Sequence, residues 1–172
     1  TGSKRLYGIL FDGAWLWEEY LNTILTSAFY HPENRRKKNG EWLFCDKQGV
    51  MRGEIYPDFI GKASERRVIA DAKYKPAGNI RDKDYLQLLA YMFRFDSQRG
   101  YYLYPDRCER REQLLLNRGI ANEGKGIVKG REDIALVKYA FSVPSEEFDS
   151  YQNFAAEMQS REQTFLSALL EI

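Results

Sequence analysis

Tyr56–Lys75 reads YPDFIGKASERRVIADAKYK, and this stretch sets the fold expected of the chain around it. Two short apolar runs flank the charged segment Gly61–Arg66, a pattern that predicts two strands, at about 50–60 and 67–75, joined by a turn. Asp58 falls at the end of the first strand, and the second carries the triplet Asp71-Ala72-Lys73. Successive side chains of a strand point to opposite faces. Asp71 and Lys73 therefore share a face, and Ala72 takes the other. Two acids able to converge on a divalent cation, with a lysine beside them, are sufficient parts for hydrolysing a phosphodiester.

Upstream, Ala14, Trp17, Leu21, Ile24, Leu25 and Ala28 recur at intervals of three and four residues. That spacing predicts an amphipathic helix from about Gly13 to Phe29 with Asp12 as its N-cap. At roughly 100° per residue, Glu18 falls inside the apolar stripe and Glu19 well outside it. A carboxylate turned toward the core is unfavourable unless something pairs with it. Glu18 thus has a cationic or metal partner, or lies at the edge of the stripe and reaches water. His31, beside Pro32, reads as a surface residue of the loop that follows. The run Arg35-Arg36-Lys37-Lys38 in that loop is either a nucleic-acid contact or a solvated face; Arg107, Arg110 and Arg111 pose the same choice. Glu41–Phe44 is a short strand ahead of the Asp46–Gly49 turn, so the region as a whole predicts a β-meander bearing the acids.

Downstream, Pro76–Asn79 breaks the pattern. Tyr85, Leu88, Leu89, Met92 and Phe95 then predict a helix over about Asp82–Phe95, with Gln87 and Tyr91 four apart on one face, flanking the apolar side. Tyr101–Tyr104, Gln113–Leu116 and Ile134–Val143 read as strands. A last helix runs from Ser145 to about Leu170 behind Pro144. Helix, three strands, helix, two or three strands, helix is the order of a mixed α/β domain of the α+β type, a central mixed sheet flanked by helices. No repeat or linker divides it, so residues 4–172 are expected to be one domain; Thr1-Gly2-Ser3 is left out of the fold reading.

The chain has 172 residues and a net charge of +1, which gives no global basic field. Contacts to nucleic acid would have to be local. The two cysteines, Cys45 and Cys108, have no CxxC spacing, which argues against structural zinc or a disulfide framework and fits a reducing, cytoplasmic setting. A single histidine argues against Ser-His-Asp and Cys-His enzymes. No apolar run has the length of a membrane span. The glycine-rich Glu123–Gly130 lacks the GxxxxGK[ST] spacing of a phosphate loop.

With these residues in place, Pro57-Asp58, Asp71-Ala72-Lys73 and Gln87…Tyr91 resemble the core motifs of the PD-(D/E)xK nuclease superfamily, and Glu18 its first-helix acid. Leu16–Leu21, Tyr56–Phe59, Ala70–Lys75 and Tyr85–Tyr91 are most similar to the nuclease domain of McrC, the cleavage subunit of modification-dependent McrBC restriction systems. The resemblance spans residues 10–105. It implies a restriction-endonuclease-like core and a Mg²⁺-dependent endonuclease, with Mn²⁺ able to substitute. Double-stranded DNA would be the substrate and an McrB-like GTPase of the AAA+ type the partner. The chain would be the C-terminal nuclease domain of a longer subunit or a smaller relative. The site it implies is Glu18, Asp58, Asp71 and Lys73. Asp58, Asp71 and the main-chain carbonyl of Ala72 would be metal ligands, Gln87 and Tyr91 supports, and Arg35, Arg36, Lys37, Lys38 and Lys75 DNA contacts. A RecB-like repair nuclease and a catalytically silent nuclease fold that binds DNA or assembles a complex are the alternatives.

Overall fold

The computed structural model describes residues 11–32, 39–64, 67–117 and 130–170. In chain order, helix α1 spans Gly13–Leu25 and strands follow at Phe29–Tyr30 (β1), Glu41–Cys45 (β2), Met51–Ile55 (β3), Phe59–Gly61 (β4) and Val68–Ala72 (β5). After a 3₁₀ turn at Ala77–Asn79 come α2 (Lys83–Arg94), β6 (Arg99–Asp106), β7 (Arg111–Asn117), β8 (Gly130–Ser142) and α3 (Tyr151–Leu170). Asp12 caps α1, accepting from the amides of Ala14 and Trp15, as the sequence predicts.

Six strands form one sheet in the order β1-β4-β5-β6-β8-β7. β5, β6 and β8 run parallel at its centre; β4 and β1 on one side and β7 on the other are antiparallel to their neighbours. This is the mixed, helix-flanked sheet that the motif order predicts, with the arrangement of a restriction-endonuclease-like core.

Period-two alternation sorts the sheet into two cores. Val68, Ala70, Tyr101, Leu103, Val137, Tyr139 and Phe141 face Trp17, Leu21 and Leu25 of α1 and Phe165 and Leu169 of α3. Ile69, Tyr102, Tyr104, Leu136 and Ala140 face Leu88, Tyr91, Met92 and Phe95 of α2. Asp71, two residues from Ile69 along β5, therefore lies on the α2 face. Gly100 lets α2 come down close onto β6: a Cβ there would stand 2.6 Å from Met92 Sδ and 2.9 Å from Leu88. The start of α2 lies beside the end of β5, where Asp84 Oδ1 stands 3.8 Å from Lys73 Nζ.

The meander expected over 41–75 takes a different form. The strand expected at 50–60 is two strands. β3 pairs only with β2, as a separate two-stranded sheet, and β4 enters the main sheet. Pro57 stands at the break, because it has no amide to give to a ladder. Asp58 consequently precedes β4 instead of ending a longer strand. α1 stops at Leu25, short of Phe29, which turns into β1. The last helix begins at Tyr151, six residues beyond Ser145. No helix among the described residues is long and apolar enough to cross a membrane.

Candidate active site

Asp58, Asp71 and Lys73 meet where β4 begins and β5 ends, and α1 brings Glu18 to the same place. Two contacts fix α1 there. The indole Nε1 of buried Trp17, one residue before Glu18, donates to the carbonyl of Leu103 at 2.9 Å. At the helix start Gly13 lies against Tyr74, whose Cε1 would be 2.7 Å from an added Cβ. β5 continues straight into Lys73, whose amide donates to the same Leu103 carbonyl at 2.9 Å.

Asp71 is buried, 2% exposed, and Lys73 Nζ lies 2.5 Å from its Oδ2. The shared face read from the sequence is borne out. Asp58 Oδ2 accepts from the Ala72 amide at 2.8 Å. The two acids are thus linked through adjacent residues of one strand: Asp71 by its own side chain, Asp58 by the next backbone amide. Glu19, which sequence periodicity sets apart from Glu18, turns away to accept from Trp15 Nε1 at 3.1 Å.

The carboxyl groups are crowded. Burial pushes Asp58 well above the usual carboxylate range, and the charges of Asp71 and Glu18 push it further, against the Ala72 amide and Lys73. Asp71 is raised as well, by burial first, with Lys73 opposing and Asp84 adding. Glu18 is raised by burial, then by Glu19 and Asp71, while His31 and Lys73 act the other way. Lys73 is pulled down by burial, but Asp71, Asp58 and Asp84 outweigh this and leave it above its ordinary value. It is an ammonium at neutral pH.

Two residues at the site were not picked out as such by the sequence. Asp84, in the first turn of α2, sits 2.7 Å from Lys75 Nζ and 3.8 Å from Lys73 Nζ, and it accepts from the Arg81 amide at 3.0 Å. Burial raises its pKa, but these partners prevail and hold it below the ordinary carboxylate value. A signal for it exists: Asp84, Gln87 and Tyr91 fall at i, i+3 and i+7, one helix face. The other is His31, expected at the surface. Its side chain is only 8% exposed; the ring stacks on Phe59, and Nδ1 is 2.7 Å from the Asp58 carbonyl. The loop after α1 folds straight back as β1 beside β4, and that pairing draws His31 inward.

Gln87 and Tyr91 do adjoin the site. Gln87 Nε2 donates to the Tyr91 hydroxyl at 2.7 Å, and that hydroxyl donates to the Tyr56 carbonyl at 3.2 Å. The pair pins the backbone two residues before Asp58. Tyr91→Phe should destabilise the fold by about 1 kcal/mol, the net worth of such a bond, and lower any activity by loosening Asp58. Urea unfolding reads this as a lower midpoint at unchanged slope; an unmoved midpoint would contradict the assignment.

Of the expected DNA contacts, Arg35, Arg36, Lys37 and Lys38 lie outside the described residues; so does the glycine-rich Glu123–Gly130 segment apart from Gly130, which opens β8. Lys75 is engaged by Asp84. Of the second basic group, Arg110 lies 3.5 Å from Asp106, and Arg111 donates to the Tyr101 hydroxyl at 3.3 Å.

The donor set suits a magnesium ion. Among the described residues no three His, Cys, Asp or Glu side chains form a ready metal cage. Magnesium does not need one, because it binds through one or two carboxylates and keeps several waters. Four carboxyl groups, Glu18, Asp58, Asp71 and Asp84, gather around two lysine side chains, Lys73 and Lys75. Burial, and for Asp58 the neighbouring charges of Asp71 and Glu18, raise these carboxyls; a divalent cation beside them would favour their charged forms.

Fold and site together define a restriction-endonuclease-like α+β core with an acid-lysine cluster at the end of its central strands. A model of the McrBC 5-methylcytosine restriction system component family matches residues 1–105, and the chain belongs to that family. Among solved structures it is similar to a chain of the Thermococcus gammatolerans assembly of McrB AAA+ hexamers with bound McrC, at 17% identity and a TM-score of 0.39. That match covers 89% of this chain and 34% of the other, so the present chain spans about a third of its length. No curated protein matches the sequence.

Proposed function

We propose that this chain is the DNA-cleaving part of an McrBC-type, modification-dependent restriction system: a Mg²⁺-dependent endonuclease for double-stranded DNA that works with an McrB-like GTPase. The observation that carries this is the convergence of Asp58, Asp71 and Lys73 with Glu18 from α1, in a chain of the McrBC family. In this reading residues 4–172 are one nuclease domain of a longer or shortened McrC-like subunit, acting in the cytoplasm.

Asp58 and Asp71 would hold the metal, with the carbonyl of Ala72 as a third ligand. Bound magnesium supplies a Lewis acid for the phosphoryl oxygens and lowers the pKa of a coordinated water. Lys73, kept protonated by Asp71, donates to the developing negative charge and orients the attacking water; it is not the base. Glu18 holds a water at the mouth of the site. Tyr91 and Gln87 keep the Asp58 backbone in register, and Asp84 holds Lys73 and Lys75 at the phosphate side.

The test is cleavage of methylated and unmethylated plasmid by the chain with Mg²⁺ or Mn²⁺, with and without an McrB-like partner and GTP. Metal-dependent nicking or linearisation is expected. A protein that neither binds Mn²⁺ nor cuts under any of these conditions would sink the proposal. Within it, Glu18→Gln should lower cleavage by roughly 10–100-fold, as is usual for groups one layer from a metal. Glu19→Gln, whose carboxylate is turned to Trp15, should leave cleavage near the parent. A larger loss at Glu19 would contradict the helix-face assignment.

A further inference from the structure

His31 is the chain's only histidine, and it sits between two acids of the site. Its Nδ1 is 2.7 Å from the main-chain oxygen of Asp58. A carbonyl oxygen only accepts, so the hydrogen is on Nδ1. The ring stacks on Phe59 with centroids 5.0 Å apart and planes at 26°, which fixes its orientation. The opposite edge, Nε2, faces Glu18 Oε1 at 3.7 Å, longer than a hydrogen bond. One rigid ring thus spans the gap between α1 and the bend that carries Asp58.

The result at Asp58 is a residue held at two points. Its carbonyl is held by His31, and its carboxylate by the Ala72 amide at 2.8 Å. With backbone and Oδ2 both fixed, Oδ1 is left for a ligand. β1 is only two residues long, so ladder pairing at this edge of the sheet is slight and the imidazole adds a side-chain tie. We infer that His31 is a positioning residue: its Nδ1–H sets the Asp58 main chain, and its ring sets the distance between Glu18 and Asp58. This rests on the reading of Asp58 as a metal ligand.

Three variants test it. Asn puts an amide N–H near the position of Nδ1, Gln puts one near Nε2, and Ala removes both. Mn²⁺ binding to the intact chain and Mg²⁺-dependent plasmid cleavage are measured for each. His31→Ala should weaken both by roughly 10–100-fold, the usual effect of losing a group that orients a metal ligand. His31→Asn should recover most of the loss, and His31→Gln should not. A long-range ¹H–¹⁵N spectrum of the parent should show Nδ1 protonated. Equal Mn²⁺ affinity in parent and His31→Ala overturns the inference and leaves the nuclease reading standing. Equal losses in the Asn and Ala variants, or an Nε2–H tautomer, overturn it as well. A parent that binds no Mn²⁺ defeats the nuclease reading itself, and that result is visible before any variant is made.

Discussion

Asp58→Asn should eliminate metal-dependent cleavage and at the same time make the metal-free protein more stable. The loss follows from the ligand role. A catalytic metal supplies several kcal/mol of charge stabilisation, and each 1.4 kcal/mol is tenfold in rate, so a fall of about 10³-fold or more is expected. The gain follows from the apo site. Asp58 is raised by burial and by its neighbours Asp71 and Glu18, so the fold favours its protonated form. With a raised pKa, its stabilising contribution is full below the ordinary carboxylate value and is lost as pH climbs through the raised one. Above the raised pKa the charged group works against the fold. Asn removes the charge and still offers an oxygen to the Ala72 amide. Relief of such functional strain commonly yields about 0.5–2 kcal/mol, or roughly 2–4 °C per kcal/mol in a domain of this size. The difference should shrink as pH falls below the raised pKa and Asp58 takes up its proton, and should shrink at alkaline pH when Mg²⁺ neutralises the parent. Asp58→Ala, which loses the Ala72 bond, should be less stable than Asp58→Asn. An Asn variant that cuts like the parent, or one that is less stable at pH 8, would refute the site.

How much of this was legible depended on the range of the interaction. Asp71 and Lys73 are two residues apart on one strand, and period two alone places them together. Glu18 was separable from Glu19 because a helix has a fixed angular step. Gln87 and Tyr91 follow the same rule. Asp84 obeyed it too, yet without the end of β5 beneath it nothing distinguished it from any acid in a first helical turn. His31 had no period to betray it. Its burial comes from β1 pairing with β4, a contact made across 27 residues to Asp58. The hairpin of β2 and β3 stands apart from the main sheet, against the expectation of one meander, for a related reason. Alternation says that a segment is a strand, and not which sheet it joins; Pro57 was the one local sign of the break.

Lys73→Met should lower cleavage by about 10²–10³-fold, the loss typical of one preorganised donor at a developing oxyanion, and Lys73→Arg should lower it less. The contrast separates two roles for the lysine. A general base must lose its proton near neutral pH. Here burial favours that loss, but Asp71 at 2.5 Å and the charges of Asp58 and Asp84 outweigh it and raise the pKa. Arg cannot act as a base at any working pH, but it remains a cation. If Lys73 were the base, Arg and Met would be equally inactive, and parental activity would keep rising as alkaline pH deprotonates the lysine. The expected profile has no such rise. The Met variant also leaves Asp71 buried without its cation, which in a buried pair is strongly destabilising, so Asp71 takes up a proton and metal binding weakens with it. Asp84→Asn provides the cross-check. It frees Lys73 and Lys75 from their shared partner while leaving the Asp71 side chain in place, and its effect on cleavage should largely vanish in the Lys73→Met background. Full additivity of the two changes would mean that Asp84 acts elsewhere than through the lysine.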